Sequence, residues 1–331
     1  MVRGGRLTEI TSKSEMENAI LQENEEKFHQ TEQWCPLLHG QLAIDLGLVG
    51  DGPKVPDILR GTYTCPPGTS EHTRKWIQHM KIEDEVEQEK IVTKLSGYRS
   101  GWNRINERTA SGELHMGHFK AGCAHKEIGW LHFAMSTIPM ITGYSPARWR
   151  QGTDVMLLKA PEIYLLEKLR TIVLYEADYN HENKRIGRDA MHLALAQGQI
   201  VKEQYSSPGR SAQDNALNKR LVFDQFRFKK KPFGMCTCDL KSCYDRIVHS
   251  AASIALQRIG IALPRIQCMF ATVQRLVHRV RTAYGRSEGT FGGDTHNYLL
   301  PPQGTGQGNG AAPAIWSILS STKQPNKLKD L

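Results

Sequence analysis

Three features of the sequence predict an α+β fold. Helix-period apolar stripes stand toward both ends of the chain, two strand-like runs lie near its middle, and a short strand at 233–239 ends on a carboxylate before a turn. The first helix is predicted over 12–28. Ser12 and Glu15 have capping-box spacing, and Met16, Ile20, Leu21 and Phe28 approximate one apolar stripe amid many glutamates. Residues 34–76 are rich in Gly and Pro with weak periodicity, so they read as loop, with a turn at Pro66-Pro67-Gly68. The acidic run Glu83-Asp84-Glu85 with Glu87 and Glu89 reads as the solvated face of a helix over 80–98. Residues 111–139 read as helical after Gly112, closed by Pro139 and a turn at 143–146.

The runs 154–159 and 168–174 read as a hairpin whose long loop holds Pro161. A helix follows over 184–198 with Ile186, Met191, Leu193 and Leu195 partly buried. Another spans 211–228, with Ala212, Ala216, Leu217, Leu221 and Phe228 near one face and Lys229, Lys230, Lys231 and Pro232 closing it. After the strand at 233–239, a helix at 247–259 ends at Gly260. A basic helix is predicted over 264–281, carrying Arg265, Arg275, Arg279 and Arg281. The Gly-rich stretch 285–300 reads as a hairpin, 301–310 as a loop with four glycines, and 311–320 as a helix.

The chain has 331 residues, enough for two or three subdomains. With 39% hydrophobic and 23% charged residues it can form a packed core, which argues against global disorder. No run of about 18 apolar residues predicts a membrane span, and no apolar stretch follows the basic N-terminus as a signal peptide requires. Seven cysteines, an odd count without a regular framework, point to reduced thiols in an intracellular protein; nucleus and cytoplasm both stay open. Cys236 and Cys238 are too close for the usual zinc spacing and read as strand thiols. His115 and His118 read as ordinary turn histidines.

Charge is divided unevenly. Residues 201–331 hold 19 Lys and Arg against 8 Asp and Glu, a net of +11, while residues 1–200 hold 24 against 26. Concentrated positive charge suits a polyanion such as nucleic acid, although a solvated basic surface would look the same.

Two segments carry chemistry. In Cys238-Asp239-Leu240-Lys241-Ser242-Cys243-Tyr244-Asp245-Arg246, a strand delivers Asp239 to its end before a tight turn. A carboxylate so placed can hold Mg2+ beside a backbone carbonyl, here that of Leu240. Tyr244, five residues on, can sit under an incoming sugar and exclude a 2′-hydroxyl. An N-capping aspartate would give the same local pattern. Asp245, six residues past Asp239, reads as structural. The second segment is the loop at 301–310, whose glycines let backbone approach a ligand closely and whose Gln307 can bond a base or sugar.

In order and spacing these segments resemble motifs A and B of reverse transcriptases. Lys159 resembles the fingers lysine that contacts nucleotide phosphate, and Arg170 the arginine of the next fingers strand. Glu203-Gln204 with Gly209-Arg210 is similar to the stretch before the helix that precedes motif A. Gly101-Trp102, the run from Glu107 to Gly112, and His115 to His118 are similar to the leader of some retroelement reading frames. The resemblance implies a right-hand polymerase architecture. Residues 1–100 would be an N-terminal extension of unknown role, 101–140 a helical leader, 141–235 fingers and 236–331 a partial palm. It implies RNA-directed DNA synthesis with Asp239 as catalytic, Mg2+-binding carboxylate and Leu240 lending its carbonyl. Lys159, Arg170, Tyr244, Gln307 and Gly308 would contact the dNTP. Lys219, Arg220, Lys229, Lys230, Arg275 and Arg279 would track the backbone of an RNA template and DNA primer.

The sequence departs from that family in two places. Ala312 stands where the family has Ser before Pro313. No Asp-Asp pair occurs anywhere, and after Gln307 the only acidic residue is Asp330, so the motif C carboxylates are missing. Two-metal phosphoryl transfer needs more than one carboxylate. The expectation is therefore a fragment truncated after motif B, lacking the C-terminal palm and thumb and inactive as this chain. The alternative is a non-catalytic nucleic-acid-binding remnant. An incomplete palm sheet also predicts an open edge, exposed apolar surface and local disorder after about residue 285.

Overall fold

The computed structural model describes residues 2–3, 6–7, 10–29, 35–82, 94–234, 240, 242–294 and 300–322. Two short strands, β1 (Val2–Arg3) and β2 (Arg6–Leu7), pair antiparallel. Helix α1 (Lys13–Phe28) follows as expected. The Ser12 hydroxyl accepts the Glu15 N–H at 3.4 Å and donates to the Glu15 carboxylate at 2.7 Å. Ile20, Leu21 and Phe28 are buried.

The stretch 34–76 is not simply loop. It holds α2 (Gly40–Leu46) and α3 (Val55–Arg60) and runs into α4 (Glu71–His79). These helices are too short to show a clear period, and α3 stops at a left-handed Gly61. Packing holds them: Leu42, Leu46, Val55, Ile58, Ile77 and Met80 join the main core. The acidic run at 83–89 lies outside the described residues.

Helix α5 (Leu95–Asn103) precedes two helices where one was expected, α6 (Met116–Ala124) and α7 (Lys126–Thr142), parted at an extended His125. The His115 ring accepts the Gly117 N–H at 3.1 Å. Pro139 does not end α7. It sits inside the last turns, and the helix stops at left-handed Gly143. A second, smaller core lies here, built on Tyr98, Trp102, Met116 and Phe119.

Strands β3 (Gln151–Leu158) and β4 (Leu169–Leu174) form the expected antiparallel hairpin, from Thr153 opposite Leu174 to Leu158 opposite Leu169. Helix α8 (Ala177–Ala196) starts well before residue 184; Ile186 and Met191 are buried, whereas Leu195 is exposed. Helix α9 (Ala212–Phe228) has a full capping box between Ser211 and Asp214, yet none of its residues is buried. The strand expected at 233–239, with Cys236, Cys238 and Asp239, falls almost wholly on 235–239, outside the described residues.

Helix α10 (His249–Arg258) and helix α11 (Leu263–Gln274) follow. The basic helix expected over 264–281 ends at Gln274. Val277–Thr282 is strand β5, parallel to β3, so Arg279 and Arg281 stand on a strand. Alternation decides this: His278 and Val280 are buried while Val277, Arg279 and Arg281 are not. The expected 285–300 hairpin is also different, because β6 (Gly285–Arg286) and β7 (Phe291–Gly292) each pair with β5 rather than with one another. Helix α12 (Ala312–Thr322) closes the described chain.

The sheet order is β4-β3-β5-β6, with β7 also on β5. Asp154, Val173, His278 and Val280 form its buried face, and α1 packs there, with Phe28 stacked on His278 at 5.1 Å. No described helix is long and apolar enough to cross a membrane. Among the described residues, the large exposed apolar side chains do not gather after residue 285 but concentrate on α7 and α9.

Candidate functional site

The turn from the expected motif A strand is described from Ser242 onward, together with Leu240, which is exposed. Ser242 adopts a left-handed conformation, φ 51°, and a single 3-10 turn follows at Cys243–Arg246. Tyr244 is half-buried, and that burial raises its phenol pKa. The Tyr244 carbonyl accepts the Thr305 N–H at 2.8 Å, and the Ile247 carbonyl accepts the Gly304 N–H at 2.8 Å. The turn and the glycine loop are thus joined by backbone.

The loop is held from the other side as well. Its Gln307 carbonyl accepts the Val173 N–H of β4 at 2.7 Å, and Ile172 and Gln307 form an isolated parallel bridge. The Tyr175 hydroxyl donates to the Thr305 carbonyl at 2.8 Å. Asn180 on α8 donates to the Gly308 carbonyl at 2.9 Å and accepts the Gly310 N–H at 2.7 Å. Glycine is required at two points. A Cβ on Gly304 (φ 87°) would lie 2.6 Å from the Asp245 backbone, and one on Gly308 (φ 124°) would lie 2.2 Å from the Val173 carbonyl oxygen.

His249 locks the loop from below. Its Nε2–H donates to the Gly304 carbonyl at 2.5 Å, and its Nδ1 accepts from the Gln274 amide at 3.0 Å. The same Gln274 amide nitrogen donates to the Leu48 carbonyl at 3.1 Å, which fixes the amide's orientation and so the neutral tautomer of His249. Burial lowers the His249 pKa to about 4. His249, Asn180 and Tyr175 act on the loop from segments 55 to 130 residues distant in sequence, and no local pattern marks them.

Between residues 302 and 309, only Gln307 and Gly308 reach solvent. These are the two loop positions that the sequence singled out. Lys159 and Arg170 are exposed at the same end of the β3–β4 hairpin, Arg170 opposite Leu157 and Lys159 just past Leu158. Neither has an ion-pair partner among the described residues. Arg170 shares its strand face with Ile172, the residue bridged to Gln307. The structure therefore brings Tyr244, Gln307 and Gly308 to the β4 edge, with Arg170 on β4 itself and Lys159 just past the end of β3.

Beneath that edge lies a buried polar cluster. Asp245 points inward, its carboxylate 2.9 Å from the Lys27 ammonium of α1, which also reaches Thr171 at 3.4 Å. Burial raises the Asp245 pKa, Lys27 and Lys159 oppose the rise, and Asp154 adds to it. Asp154 accepts from Asn24 at 3.0 Å and faces His278 Nδ1 at 3.0 Å. Asp245 thus holds the turn to α1, in keeping with a structural role.

The residues expected along nucleic-acid backbone fall into two sets. Lys219, Lys229 and Lys230 are exposed on or just after α9, and Arg220 pairs there with Asp224 at 3.1 Å. Arg275 is engaged by Asp294 at 2.8 Å, and Asp294 also takes Arg150. Arg279 is half-buried in the sheet and its Nε is enclosed without a partner among the described residues. Strand geometry puts Arg279 beside Thr153 rather than along a helix surface.

A Mg2+ ion at the motif A position would need Asp239, which lies outside the described residues. Leu240 offers a backbone carbonyl alone, and among the described residues no group of three His, Cys, Asp or Glu stands close enough to hold a metal. No family model and no curated protein matches this chain.

Proposed function

We propose that this chain holds the fingers and first part of the palm of an RNA-directed DNA polymerase and binds primed template and a dNTP. One observation carries the reading. The segments that resemble motifs A and B, far apart in sequence, share backbone hydrogen bonds, and the loop leaves open only Gln307 and Gly308 against the β3–β4 hairpin that carries Lys159 and Arg170, neither ion-paired among the described residues. In that reading Lys159 offers the triphosphate a point charge and Arg170 a fork, and phosphoryl transfer depends chiefly on such positioning.

The test is fluorescence anisotropy with a labelled DNA primer annealed to an RNA template, in rising salt. Affinity should fall steeply, and replacing Lys219, Lys229 and Lys230 by Ala should lower the log–log salt slope by about 2 to 3. Absent or salt-independent binding would sink the proposal. Primer extension abolished in Asp239→Asn would make Asp239 the catalytic carboxylate of that reading.

A second reading, a non-catalytic nucleic-acid-binding remnant, is favoured by the open basic residues around α9. Nucleotide binding separates the two. A fluorescent dNTP retained on the primed complex and lost in Lys159→Ala or Arg170→Ala supports the polymerase reading. Nucleic-acid binding without any dNTP retention supports the remnant.

A further inference from the structure

We propose that the outer face of α7 is a self-association surface, through which two copies of this chain pair as antiparallel helices about a two-fold axis. Ile128, Leu131, Met135 and Ile138 follow one another at spacings of three, four and three, the pattern of a two-helix seam. With the flanking Trp130 and Ile141 they are 43–59% exposed. The opposite face is anchored, with Gly129, Ser136, Pro139 and Met140 buried and α6 and α11 packed alongside. The stripe is therefore carried on a fixed helix.

Three features select a second copy as the occupant. First, the ionisable side chains of α7 are Lys126 and Glu127 in its first turn and His132, whose half-buried ring lies against Phe119. The stripe offers a charged partner nothing to pair with. Second, an antiparallel partner centred near residue 133 sets Ile128 against Ile138 of the partner subunit and Leu131 against the partner subunit's Met135, so all four layers are apolar. Third, six such side chains offer on the order of 100 Å² each. Two copies would bury roughly 1,200 Å², about where specific interfaces begin. Helix α9 also exposes Leu217 and Leu221, but Lys219, Arg220 and Asp224 stand among them, so it lacks the uncharged seam. This inference does not depend on the polymerase reading.

Sedimentation equilibrium of the whole chain tests it, supported by circular dichroism of each variant. The mass should rise with concentration from 37.3 kDa to a plateau at twice that value. Leu131→Glu and Met135→Lys should each weaken self-association at least tenfold, while their equimolar mixture should dimerise again, because the new opposite charges meet across the seam. Loss of fold could not produce that rescue. A single mass of 37.3 kDa up to about 100 μM, growth beyond a dimer without a plateau, failure of the mixture to recover, or a dimer abolished by Leu221→Glu instead would each overturn the proposal.

Discussion

The loop at 303–310 and helix α9 are held in opposite ways. The loop has no large apolar side chain, yet backbone and polar side chains from α1, β4, α8, α10 and the Tyr244 turn grip it. Helix α9 carries Leu217, Leu221, Val222, Phe223 and Phe228, yet none of its residues is buried. Apolar content alone did not decide which segment joined the core. Buried backbone groups must find partners, so a polar loop can be among the most constrained parts of the molecule. A helix with a good cap and an apolar side can stand apart, held by its own hydrogen bonds.

The largest effect should come from breaking the constrained side. Lys27→Met leaves the Asp245 carboxylate buried beside Asp154 with its principal counter-charge gone. Removing one partner of a buried pair costs about 3–5 kcal/mol, measurable by urea denaturation. Asp245→Asn in the same chain should recover much of that loss. A Lys27→Met protein as stable as the parent would show that the pair does not hold the turn.

A smaller effect concerns pH. His249 has a folded pKa of about 4 against an unfolded value near 6.5. Its stabilising contribution is therefore fully present above pH 6.5 and is lost as pH falls toward 4, because the unfolded chain takes the proton first. The span corresponds to about 3 kcal/mol. Asp245, with a raised pKa, contributes with the opposite sign as pH rises above its unfolded value. The difference between parent and His249→Gln melts across pH 4–6.5 isolates the histidine. An unchanged slope in that variant would mean that His249 does not lock the loop.

The smallest effect belongs to α9. Leu217→Glu and Leu221→Glu should each change stability by less than about 0.5 kcal/mol, as expected for exposed positions. A larger loss on thermal denaturation would mean that α9 packs against the body in solution, and the contrast with the loop would weaken.

These differences also show what the sequence revealed. Helix α1 was legible from its cap and stripe, and the β3–β4 hairpin from two short apolar runs, because those signals are local. The strand at Val277–Thr282 was misread because arginines at 275, 279 and 281 resemble a helix face, while its decisive alternation covers only six residues. The helices at 40–79 were missed because six to nine residues between Gly and Pro carry little period. The grips of His249, Asn180 and Lys27 could not be read at all, since each depends on a partner brought near only by the fold.

Helix α1 also has a consequence for how the chain is made. The Phe28 carbonyl accepts the Gln303 N–H at 3.3 Å, a contact spanning 275 residues. At about 5–20 residues per second of synthesis, roughly 14–55 s separate the emergence of these two partners. A 16-residue helix is marginal alone in water. The ring partners of Phe28, His278 and Phe291, emerge almost as late, so Phe28 stays without them while the intervening chain is made, which makes this segment a natural point of engagement for ribosome-associated chaperones.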